Sequence, residues 1–87
     1  MKVRKYLMII DDVACDKCIN RIKSALDLLP GVISIKVKPE YDLRRATFYL
    51  LSKKEIEIEK IRKILYFVSE KTIHHYQILK FEELNEN

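Results

Sequence analysis

Eighty-seven residues, 48% hydrophobic and 34% charged, leave room for one hydrophobic core and exclude both a second core and a disordered chain. No apolar run approaches the ~18–20 residues of a membrane-spanning helix, so membrane insertion is not expected. The formal net charge is +4, but three of the thirteen acids lie beyond Phe81, so residues 1–81 carry +7 and favour an acidic partner.

The opening, MKVRKYLMII, mixes bases with a short apolar stretch, and Asp11 and Asp12 follow without a small-residue cleavage site. No secretory signal is read there, and a cytoplasmic location is expected. Residues 3–10 form the first predicted strand. Ile19, Ile22, Leu26 and Leu29 then recur at spacings of three and four, one apolar face of a helix. Asp16 is placed to cap its first turn, and Pro30-Gly31 to stop it. Val32 to Lys38 alternates with a period of two, which puts Ile33, Ile35 and Val37 on one face of a second strand.

Residues 39–45 read as a polar turn and 46–51 as a third strand. Ser52, three residues before Glu55, has the spacing of a capping box. A second helix follows, with Ile58, Ile61, Ile64, Leu65 and Val68 as its buried stripe. Residues 73–81 supply the last strand, with His74 and His75 opening it and pointing to opposite faces. One domain is expected over 1–81, with 82–87 as an acidic tail. The order strand, helix, strand, strand, helix, strand predicts an α+β ferredoxin-like βαββαβ sandwich: a four-stranded antiparallel sheet with two helices on one face.

If Tyr6, Met8 and Ile10 face the helices, Leu7 and Ile9 face away, and in the third strand Thr47, Tyr49 and Leu51 oppose Ala46, Phe48 and Leu50. An apolar open sheet face suggests a second copy of the chain as its cover.

Cys15 and Cys18 are the only cysteines, and they flank Asp16-Lys17 where the first helix begins. Orphan N–H groups and the positive end of the helix dipole stabilise thiolates there. Two thiolates suit a soft ion of low coordination number, which favours Cu(I). Zn(II), the alternative, wants four ligands and needs help from Asp11, Asp12, Asp16, a water or a partner. His74 or His75 is a less favoured ligand, and Met1 and Met8 less favoured still.

The C-x-x-C between first strand and first helix, followed by Leu29-Pro30-Gly31-Val32 closing that helix, resembles the heavy-metal-associated domain, the family of small copper chaperones and of metal-binding domains in P-type metal ATPases. The likeness in element order covers about residues 3–80. The resemblance implies metal ligation by Cys15 and Cys18 and transfer to a P-type ATPase or another metal-binding domain. The family's Gly-Met-Thr or Gly-Met-His before the first cysteine is here Asp12-Val13-Ala14, with Val13 a smaller anchor than methionine. The family's Gly-Tyr or lysine near the sulfurs is matched only loosely, by Lys71. A cation there would lower the cost of a bis-thiolate site.

Three other functions compete. A thioredoxin-type redox module shares C-x-x-C but needs another strand order. An RNA binder would expose Tyr6, Phe48, Tyr49 or Tyr76 on the sheet, but the flanking glycines of that motif are missing and nucleic acid is not expected. A ferredoxin-like regulatory or dimerisation domain without metal is the runner-up. No Ser/His/Asp set, glycine-rich phosphate loop or acid–base pair is visible, and Glu55, Glu57 and Glu59 read as dipole partners of the second helix. A non-enzyme is expected.

Overall fold

The computed structural model describes residues 2–84. Its elements are β1 (Arg4–Asp11), α1 (Asp16–Leu26), β2 (Val32–Glu40), a 3₁₀ turn (Tyr41–Leu43), β3 (Arg45–Ser52), α2 (Ile58–Ser69) and β4 (Gln77–Leu84). The four strands pair antiparallel in the order β2-β3-β1-β4. This is the ferredoxin-like arrangement expected from the element order.

The core lies between the sheet and the helices. Tyr6, Met8 and Ile10 from β1 and Ala46, Phe48 and Leu50 from β3 meet Ile19, Ile22 and Leu26 of α1 and Ile61 and Leu65 of α2, all buried. The central strands alternate, with Tyr6, Met8 and Ile10 on the helix side and Leu7 and Ile9 on the other. On the other face the pairs Leu7↔Tyr49 and Lys5↔Leu51 run between β1 and β3, and Tyr49 remains 40% exposed. Lys36 and Lys38 of β2 and Lys80 and Glu82 of β4 flank this apolar strip.

Several boundaries differ from the sequence expectations. Asp16 does not cap α1. Cys15 is the N-cap residue, in extended backbone, and Asp16 is the first helical residue. Leu29 still packs on the core, although α1 ends at Leu26. The chain unwinds through tight turns (Leu28 N–H to Ala25 carbonyl 3.2 Å, Leu29 N–H to Leu26 carbonyl 3.1 Å) before Pro30-Gly31.

Ile33 does not share a buried face with Ile35 and Val37. A register shift between Val32 and Ser34 leaves it exposed, as a bulge does. Ser52 makes no capping box, because α2 begins only at Ile58. Its buried hydroxyl instead donates to the Lys54 carbonyl (2.8 Å) and accepts the Lys54 N–H (3.1 Å).

The last strand begins at Gln77, so residues 73–76 belong to the connection before it. It extends through Glu82 and Glu83 to Leu84, and Glu83 pairs with Arg4 at 3.1 Å. Those residues, read as the start of an acidic tail, are sheet. Residues 85–87 and Met1 lie outside the described residues.

Gly31 is where glycine is needed. Its φ is +90°, a Cβ there would meet Lys54 Cβ at 3.0 Å, and its carbonyl accepts the Lys53 N–H at 2.8 Å. Pro30-Gly31 therefore joins the end of α1 to the segment after β3.

Candidate metal centre

The cysteine loop is held by two other connections at one end of the sheet. β1 leaves the sheet at Asp11, and Asp12 adopts φ +65°, a conformation that favours glycine and is tolerated by aspartate. The Asp12 carboxylate accepts the His75 N–H (2.8 Å) and an Arg44 guanidinium N–H (2.9 Å), and His74 Nδ1 lies 3.5 Å away. These bonds tie the cysteine loop to the β2–β3 connection and to the α2–β4 connection. Charge-assisted hydrogen bonds of this kind are the stronger sort. The His75 N–H and the Arg44 guanidinium hold Asp12 below the usual aspartate range. The next residue, Val13, is fully buried, and its N–H donates to the Arg44 carbonyl at 3.1 Å. The anchor beneath the loop is therefore valine.

From this anchor the chain turns into α1, with Cys15 exposed at the N-cap and Cys18 one turn on, fully buried. The Cys15 carbonyl accepts the N–H groups of Cys18 (3.1 Å) and Ile19 (3.3 Å). This first turn sets the two cysteines three residues apart at the start of one helix. Burial opposes ionisation of Cys18, but the Tyr76 hydroxyl, the backbone of Ala14 and Cys15, and the Cys15 thiol all support the thiolate. The balance lies below the ordinary thiol value. The pair is thus one sulfur open to solvent and one packed into the core edge.

Tyr76 sits behind Cys18, only 4% exposed. Its hydroxyl accepts an N–H from Arg21 at 2.8 Å. Its backbone N–H donates to Ser69 Oγ (3.0 Å), which in turn donates to the Leu65 carbonyl (2.7 Å). Its ring stacks on His74, with centroids 5.6 Å apart. Burial and the bond to Cys18 push the Tyr76 hydroxyl up to about 12, against the opposing pull of Arg21.

Neither Arg21 nor Tyr76 was singled out for the site from sequence. Arg21 falls three residues after Cys18, a spacing that makes helix neighbours and marks it in retrospect. Tyr76 had no such signal, since its place depends on how the α2–β4 connection folds.

The other nominated residues are placed as follows. Lys71 does not reach the sulfurs; its ammonium lies 5.1 Å from the centroid of the Phe67 ring, a cation–π contact. Asp16 accepts a hydrogen bond from the Tyr41 hydroxyl, which is raised to about 12 by that bond, and then by burial and the negative charge of Asp16. Asp12 is committed to Arg44 and His75. Asp11 lies within β1, paired with Arg45 and Gln77. Met8 is buried core. His74 and His75 are brought to the cysteine loop through Asp12 from a connection rather than a strand. No group of three or more His, Cys, Asp or Glu side chains suited to a metal occurs among the described residues.

A ferredoxin-like sandwich with a paired-thiol turn between its first strand and first helix defines a class of small metal-handling domains. Residues 7–66 match the heavy-metal-associated domain, and the chain belongs to that family. No curated protein matches it by sequence.

Among solved structures, it is similar to oxidized MerP from Ralstonia metallidurans CH34 (15% identity, 87% of this chain and 99% of that chain, TM-score 0.56). It is similar too to a structure described as "Crosstalk between Cu(I) and Zn(II) homeostasis" (16% identity, 91% and 100%, TM-score 0.53). A third is the uncharacterized protein TM1266 from Thermotoga maritima (16% identity, 97% and 100%, TM-score 0.55). At these identities the likeness is one of fold. No helix among the described residues is long and apolar enough to cross a membrane.

Proposed function

We propose that this protein carries one soft metal ion between the sulfurs of Cys15 and Cys18 and passes it on by ligand exchange. The observation that carries this reading is the asymmetric thiol pair: Cys15 exposed at the helix N-cap and Cys18 buried beside it with its thiolate favoured. Shallow two-sulfur binding lets an incoming thiol attack at the open side before the inner sulfur lets go. Family membership supports heavy-metal binding.

Cu(I) is the favoured cargo. Zn(II) needs further ligands, and the carboxylates Asp12 and Asp16 already serve Arg44, His75 and Tyr41. Two free sulfurs with their neighbours engaged suit an ion content with two thiolates. The recipient is an acidic protein with its own cysteine pair, such as a metal-binding domain of a P-type ATPase, and the basic surface speeds that encounter. A cytoplasmic setting keeps the thiols reduced. We read the chain as a single domain.

The exposed strip of Tyr49 and Leu79, 40% and 54% exposed, favours a second role for the open sheet face, as the contact between two copies of the chain. Sedimentation equilibrium of the protein and a Tyr49→Glu variant tests it: a dimer abolished by the substitution supports the contact, and a monomer at high concentration removes it.

The test of the carrier reading is anaerobic titration of the reduced protein with Cu(I) and then Zn(II) against a competing chelator, beside the Cys15→Ser/Cys18→Ser double variant. One equivalent of tight Cu(I) binding, lost in the variant, supports the carrier. Equal weak binding by both proteins overturns it and leaves the regulatory or dimerisation domain.

A further inference from the structure

We propose that Asp12, gripped by Arg44 and the His75 N–H, is the positioning residue for the outer sulfur: it fixes the backbone that carries Cys15 and so slows release of the ion. The inference rests on the carrier reading above. Its first support is where the ties fall. The Asp12 carboxylate takes the His75 N–H (2.8 Å) and the Arg44 guanidinium (2.9 Å), and the Val13 N–H reaches the Arg44 carbonyl (3.1 Å). Beyond Cys15, the Tyr41 hydroxyl donates to Asp16. The exposed cysteine is therefore bracketed, before and after it in the chain, by bonds to the β2–β3 connection.

The second support is that the grip is itself firmly built. Arg44 closes the 3₁₀ turn through its N–H to the Tyr41 carbonyl (3.0 Å), in left-handed backbone at φ +53°. From that one residue both a carbonyl and a guanidinium reach the cysteine loop. Asp12 stands at φ +65°, a conformation that a residue other than glycine keeps only where its surroundings hold it.

The third support is that the Cys15 side chain makes no capping bond of its own. Its place depends on the backbone that carries it. Backbone ordered before the ion arrives need not be ordered by it, which strengthens binding, chiefly through slower release.

The test is the rate at which Cu(I)-loaded protein gives up its ion to excess bicinchoninate under anaerobic stopped flow. Wild type is compared with Asp12→Ala, Arg44→Met, their double variant and Tyr6→Phe. Charge and position pull apart here. The cargo is a cation, so loss of the Asp12 charge weakens its hold and loss of the Arg44 charge strengthens it. Positioning predicts faster release from both. Asp12→Ala is expected to speed release about tenfold, the low end for loss of a residue that supports a metal ligand. Arg44→Met is expected to speed it about two- to fivefold, as for an exposed ion pair. The double variant should match Asp12→Ala, because the Arg44 side chain acts through that carboxylate. Tyr6→Phe strands a buried N–H just ahead of α2 and should release at the wild-type rate although its fold is weakened.

A wild-type rate in either Asp12→Ala or Arg44→Met, with wild type still binding one Cu(I), overturns the inference and leaves the carrier reading standing. Shifts of opposite sign overturn it too, since they report charge alone. So do multiplying effects in the double variant, and so does faster release from Tyr6→Phe, which reports global stability. Absence of Cu(I) binding by wild type removes both readings. If Asp12→Ala fails to fold, Arg44→Met decides, because the Arg44 side chain is 63% exposed.

Discussion

The Asp12 carboxylate accepts the backbone N–H of His75, 63 residues further along the chain, at 2.8 Å. One side chain at the exit of β1 thus fixes the approach to β4, and through Arg44 the β2–β3 connection as well. Its backbone pays a small conformational cost at φ +65° for contacts that glycine, usual at this point of the family, would not make.

Two substitutions separate these effects. Asp12→Gly relieves the backbone and loses the contacts; Asp12→Ala loses the contacts and keeps the strain. Asp12→Ala is expected to cost about 2–3 kcal/mol, and Asp12→Gly about 1 kcal/mol less. Urea unfolding of the three proteins measures this. Equal stability of Asp12→Ala and wild type would show that the carboxylate contacts contribute nothing net.

The same carboxylate sets an acid limit. Its folded value is held below the ordinary 3.8, so the stability it contributes is present above that value and is lost as pH falls through the folded one. The gap in stability between wild type and Asp12→Asn should therefore stay constant at neutral pH and narrow as pH falls below about 4. Urea midpoints at several acid pH values record it; a gap independent of pH would place the Asp12 contribution outside its charge.

Tyr6 carries another long-range bond: its hydroxyl accepts the buried Ile56 N–H at 3.0 Å, just ahead of α2. Tyr6→Phe keeps the ring and its stacking on Phe81, 5.5 Å between centroids, but strands a buried donor. A loss of about 1–3 kcal/mol is expected, read as a lower urea midpoint with an unchanged slope. A loss below about 0.5 kcal/mol would mean that the N–H finds another partner.

Gly31→Ala puts a methyl group 3.0 Å from Lys54 Cβ in a left-handed conformation. The expected cost is about 1–3 kcal/mol. Thermal unfolding checks it, and an unchanged midpoint would show that the loop shifts freely.

Lys71→Ala should leave Cu(I) affinity and release rate at their wild-type values, since the ammonium rests on Phe67. A severalfold drop in affinity in the chelator competition would return Lys71 to the metal site.

The central strands were legible as strands from their β-branched and aromatic content, but both of their faces are apolar, so which set is buried, Tyr6, Met8, Ile10, Phe48 and Leu50, is settled only by where the helices dock. Cys15 and Cys18 were legible from spacing and from their place before an amphipathic run. The expected cap at Asp16 failed because the turn begins one residue earlier, at Cys15. The expected strand start at Ile73 failed for a different reason: Thr72 bonds the Ser69 carbonyl and the His74 N–H and coils the segment, a local choice that β-propensity does not register. The surroundings of the sulfurs were least legible. Tyr76, Arg44 and His75 come from connections whose course is decided only when the helices dock.

The fragment from Cys15 to Cys18 spans only four residues, so its two thiols stay near neighbours in a denatured chain. A thiophilic ion can therefore bind unfolded molecules as well as folded ones, and ligand-induced protection against heat reflects only the difference between the two affinities. What folding adds is the buried surroundings of the inner sulfur, not its proximity to the outer one. A melting-temperature screen would consequently under-report cargo that binds tightly, and the denatured protein would compete for the ion in any preparation where the two forms coexist.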